Sequence, residues 1–84
     1  MENTTDVKQV VTKGQYRVGV SFNPSNNPLV DEIKWKTSDL IDLCDRIANA
    51  DVNPEVKRLA ALAQTHFEDA AMWGVKAATK PAQP

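Results

Sequence analysis

The sequence predicts an all-α protein, an antiparallel helical hairpin with a short N-terminal extended segment, assembled as a homo-oligomer. Three observations predict it. Two Asn-Pro steps, Asn27-Pro28 and Asn53-Pro54, each open a long stretch with apolar residues at three- and four-residue intervals. Only a few residues separate the stretches, which favours antiparallel neighbours. The second stretch also carries more apolar surface than one partner helix can cover.

Residues 1–15 are polar, with Val7, Val10 and Val11 the only large aliphatics, and read as a flexible N-terminal arm. The hairpin domain is assigned to residues 16–79. It opens with an alternation: Tyr16, Val18, Val20 and Phe22 on one side, Gln15, Arg17, Gly19 and Ser21 on the other. That period of two predicts a short extended segment. Asn23-Pro24-Ser25-Asn26-Asn27-Pro28 then excludes regular structure.

The first helix is expected over about residues 28–50. Asn27 caps it, Pro28 suits its first position, and Asp31 and Glu32 meet its dipole. Val30, Ile33, Thr37, Leu40, Ile41, Cys44, Ile47 and Ala48 form its apolar stripe, while Lys34, Ser38, Asp42 and Asp45 fill much of the other face. Asn53 caps the second helix, expected over residues 54–79 before Pro81 and a frayed tail at 80–84. Its first stripe is Val56, Leu59, Ala63, His66, Ala70, Trp73 and Ala77. Ala60, Phe67, Ala71 and Val75 widen it, and Leu62 and Met72 lie further round. Other copies of the chain are the simplest cover for the excess.

Composition narrows the function. The 84 residues are 42% apolar and 25% charged, with ten Lys+Arg against eleven Asp+Glu and a formal net charge of −1. This is a globular balance, and it advertises neither a long nucleic acid nor a membrane as partner. No apolar run approaches the roughly 20 residues of a membrane span. The first residues lack the pattern of a signal peptide, so a cytoplasmic protein is expected. Cys44 and His66 are the only cysteine and histidine. An intrachain disulfide and a Cys/His-only zinc site are thereby excluded. Both residues fall on apolar stripes, where a small hydrophobe and a packed imidazole are the simpler readings. No catalytic residue, metal ligand or cofactor is expected, and the protein is not read as an enzyme.

What remains is binding chemistry. Tyr16, Phe22 and Trp35 are aromatic; Arg17, Lys34, Lys36 and Arg58 are the cations most able to join them; Asn23, Ser25, Asn26, Asn27, Thr37 and Thr65 are neutral donors. Aromatic faces with a few cations suit a stacked base and its phosphate.

The run Arg17-Val18-Gly19-Val20-Ser21-Phe22-Asn23-Pro24-Ser25 leads into Val30-Asp31-Glu32-Ile33-Lys34 and Leu40-Ile41-Asp42. Together with Glu68-Asp69-Ala70-Ala71-Met72-Trp73-Gly74-Val75-Lys76-Ala77, it resembles the phage anti-CBASS cyclic-oligonucleotide sponge family. That family shares its helical-hairpin domain with an anti-Thoeris sponge. The resemblance spans about residues 16–79. It implies a homohexamer that binds cyclic oligonucleotides without cleaving them. Those of the 3′,3′-cyclic GMP-AMP type and cyclic trinucleotides would be held, in the cytoplasm of the infected bacterium.

Tyr16, Phe22, Lys34, Thr37 and Arg58 are the expected ligand-binding residues. Phe22 ends the extended segment, and Lys34 lies about two turns into the first helix. Thr37, three residues on, is placed on the same side. Arg58 sits at the opposite end of its own hairpin and would reach Lys34 across an antiparallel two-fold interface. Two rival readings stand beside this one. One is a helical phage adaptor or assembly protein that binds another protein through the second helix. The other is a nucleic-acid accessory protein, which the charge balance disfavours.

Overall fold

A computed structural model describes residues 11–51 and 53–83. Among them there are three helices and no strand: α1 (Lys13–Val18), α2 (Pro28–Asn49) and α3 (Pro54–Thr79). The two long helices begin where their caps predict. The side-chain oxygen of Asn27 accepts from the Leu29 amide at 2.9 Å, and that of Asn53 accepts from Val56 at 3.0 Å. A proline follows each cap, where its missing N–H costs nothing. At the bend, Lys57 Nζ donates to the Ala48 carbonyl at 2.6 Å and so satisfies part of the C-terminus of α2.

The predicted extended segment is instead helix and turn. α1 starts at Lys13, inside the stretch assigned to the arm, and residues 1–10, with Val7 and Val10, lie outside the described residues. Thr12 and Gln15 form a reciprocal capping box: the Gln15 amide donates to Thr12 Oγ1 and the Thr12 amide to Gln15 Oε1. Gly19, at φ +76°, ends the helix in the left-handed conformation. A six-residue helix is unstable in isolation. Tertiary bonds hold this one: the Gly14 amide donates to Asp42 Oδ1 at 2.7 Å, and Arg17 Nε donates to Glu68 Oε1 at 2.6 Å. These contacts outweigh the period-two alternation.

At Gly14, α1 lies directly against the backbone of α2. A Cβ there would lie 2.1 Å from the Ser38 carbonyl oxygen. Helix propensity alone favours alanine over glycine by about 1 kcal/mol, whereas overpacking costs about 1–3 kcal/mol. Gly14→Ala is therefore expected to lower the melting temperature, by about 4–8 °C per kcal/mol. A raised melting temperature would show that α1 does not pack here.

The stripes are redistributed too. Val30 and Ile41 of α2 meet Ala60 and Ala71 of α3 in the buried seam, joined by buried Ser38, Gln64 and Lys34. Lys34 and Ser38, assigned to the polar face, are buried because α1 lies over that row. α3 packs through the row of Ala60, Gln64 and Ala71. Its first predicted stripe faces out: Leu59, His66, Ala70, Trp73 and Ala77 are exposed. His66 is thus not a packed core imidazole in the single chain. Cys44 is half-buried.

At about 100° per residue, exposed Leu40, Leu43 and Ile47 lie to one side of the α2 seam. Exposed Leu59, Leu62 and Trp73 lie to the same side of the α3 seam, because the helices run antiparallel. α1 covers the opposite side. Among the described residues the hairpin therefore has one covered face and one bare apolar face.

Candidate functional site

The polar side chains converge where α1 turns into α2. After Gly19 the Phe22 amide donates back to the Gly19 carbonyl at 3.1 Å, closing a turn over residues 19–22. The Asn/Pro loop beyond it is held by its own side chains. Ser25 Oγ donates to Asn23 Oδ1 at 2.6 Å, and Asn23 Nδ2 donates to the Asn27 carbonyl and to Asp31 Oδ1, each at 3.0 Å. Asn26 takes the left-handed conformation at φ 56°, which asparagine tolerates. Asn27 Nδ2 donates to the Ala78 carbonyl at 3.1 Å and ties the loop to the end of α3.

Lys34 lies under this turn. Only 8% of it is exposed. Its ammonium donates to the Gly19 carbonyl at 3.0 Å and to the Phe22 carbonyl, and stands 5.4 Å from the centre of the Phe22 ring. The ring itself is 68% exposed. Phe22, Asn23, Ser25, Lys34 and Val75 line a half-open groove of about 290 Å³. A second, of about 370 Å³, adjoins it, lined by Arg17, Lys34, Glu68, Met72 and Val75. Lys34 and Val75 wall both.

The structure brings together two of the five expected ligand residues, Phe22 and Lys34. Tyr16 is 79% exposed on α1 and borders another shallow groove, with Val11, Gln15 and Val20. Thr37 is half-buried, and its hydroxyl donates to the carbonyls of Ile33 and Lys34 within α2. Three residues along a helix turn through about 300°, so Thr37 stands only about 60° round from Lys34, displaced toward the α3 side.

Arg58 lies near the start of α3, roughly 25 Å along the helix from the level of Val75. It grips Glu55 with two bonds, at 2.9 and 2.7 Å, on the exposed surface. The Arg58 hydrogen bond holds the Glu55 carboxyl below its ordinary range, and Glu55 raises Arg58. Their pairing supports the first turn of α3 above the carboxyl's unfolded pKa and fades as pH falls through the lowered one.

Sequence reasoning missed Gln64 and Glu68. Arg17 Nη1 donates to Gln64 Oε1 at 3.2 Å, beside its bond to Glu68. No local spacing signals these partners, because they stand about fifty positions away in the chain. Trp35 is exposed on α2, and Lys36 pairs with Glu32 at 3.3 Å. Among the described residues no group of three His, Cys, Asp or Glu side chains is placed to hold a metal, and no helix is long and apolar enough to cross a membrane.

Comparison with known families gives one match. The model of the Acb2/Tad1 hairpin domain covers residues 13–79, from the first residue of α1 to the last of α3. No curated protein and no solved structure matches the chain.

Proposed function

The chain belongs to the Acb2/Tad1 hairpin-domain family of anti-CBASS and anti-Thoeris sponges, and from that premise we propose that it sequesters cyclic dinucleotides and trinucleotides without cleaving them. Capture would starve the effector of bacterial CBASS immunity, in the cytoplasm of an infected cell. The observation that carries the reading is the exposed Phe22 ring on a buried ammonium, at a groove that Lys34 and Val75 share with a second one beside it. A ring of this kind stacks on any base, and nearby positive charge favours a phosphate.

The proposed assembly is a homohexamer built on the bare apolar face. Isolated exposed leucines need no explanation, but a contiguous face carrying Leu40, Leu43, Ile47, Leu59, Leu62 and Trp73 does. A cyclic dinucleotide is nearly two-fold symmetric, so a two-fold interface meets it with each residue used twice. Phe22 and Tyr16 would supply aromatic faces at a second two-fold contact, on the side of the hairpin that carries α1, and Arg58 a phosphate contact from a neighbouring copy. A three-fold axis would suit a trinucleotide by the same argument. Thr37 bonds within its own helix and is left out of this site.

The reading is tested by mixing the protein with a 3′,3′-cyclic dinucleotide, removing free ligand, and heating the complex. Chromatography should recover the ligand intact and in proportion to protein. A linear product would make the protein an enzyme. No retained ligand would favour an adaptor that uses the same apolar face for another protein.

A further inference from the structure

We propose that Lys34 serves ligand recognition as a positioning residue: it holds the turn over residues 19–22, and so the Phe22 ring, instead of meeting a phosphate with its own ammonium. The proposal rests on the sponge reading above and assigns the work within its site. An ammonium has three N–H donors. Two of them go to the Gly19 and Phe22 carbonyls at the two ends of the turn. The side chain is buried between the two grooves, so its stem forms the wall that separates them.

One N–H remains, and to bring its ammonium onto a phosphate beyond the reach of that donor Lys34 would have to leave both carbonyls. The turn would then keep one internal closure, the Phe22 amide to the Gly19 carbonyl. Its first residue is a glycine at positive φ, the residue with most conformational freedom to lose. Without the clamp, the turn and its ring would be poorly fixed. With it, the ammonium lies against the ring while most of the ring stays open to a base.

The test is a double-mutant cycle in the full chain, read by calorimetry with a 3′,3′-cyclic dinucleotide. Lys34→Met keeps the stem and removes the donors; Phe22→Ala removes the ring. Lys34→Met should weaken binding at least tenfold, yet add no more than about twofold once Phe22 is alanine, because non-additivity marks residues that act as a unit. Full weakening in both backgrounds would make Lys34 a direct ligand contact and overturn the proposal. Without ligand, Lys34→Met should speed hydrogen exchange of the Phe22 amide and shift the Phe22 ring resonances, leaving the Ile41 amide protected. Unchanged ring and amide signals would also overturn it. A parent protein that binds no cyclic dinucleotide defeats the sponge reading itself, whereas additivity in a parent that binds defeats only the positioning role.

Discussion

Trp73→Lys will split the proposed assembly into smaller species that remain folded. Trp73 is 62% exposed in the single chain, so the substitution leaves the hairpin's own seam of Val30, Ile41, Ala60 and Ala71 intact. In the proposed assembly the same position is covered by a neighbouring copy. The Lys76 ammonium stands 5.6 Å from the Trp73 ring, so a second ammonium buried there meets a like charge and costs several kcal/mol, which symmetry repeats at every equivalent interface. Light scattering should show the mass fall while circular dichroism keeps its helical signal. An unchanged mass would remove Trp73, and the bare face with it, from the interface.

Phe22→Ala will have the largest effect on ligand binding. Stacking contributes about 1–3 kcal/mol per base, and a two-fold site uses the ring twice. The expected loss is about 2–6 kcal/mol, or roughly 30-fold to 20,000-fold in Kd. Because the ring is mostly exposed, helicity and mass should not change. Binding as tight as the parent's would move the stacking role to Tyr16, which stands exposed on α1.

The long helices were legible because their signals are local. Asn27-Pro28 and Asn53-Pro54 cap within three residues, and the structure starts α2 and α3 at those prolines. α1 was not legible from the alternation of residues 16–22. Its capping box is written in Thr12 and Gln15, but its persistence depends on Asp42 and Glu68, far along the chain. The face of α3 that packs was ambiguous for a similar reason. Two apolar stripes were present, and the choice followed from which side receives α1 through Gln64 and Glu68. The site divides in the same way. Phe22 and Lys34 meet across a short loop that the sequence brackets. Thr37 and Arg58 depend on helix rotation and on contacts between copies, which one-dimensional spacing does not specify.

The central claim is capture of a cyclic oligonucleotide by a non-enzymatic assembly, and one calorimetric titration with a 3′,3′-cyclic dinucleotide tests it most directly. The account predicts a saturable isotherm with Kd in the nanomolar range, equivalent to about −12 kcal/mol, at one ligand per two chains. The titrated ligand should then be recovered uncleaved. An assembly of intact mass that gives no saturable binding would contradict it.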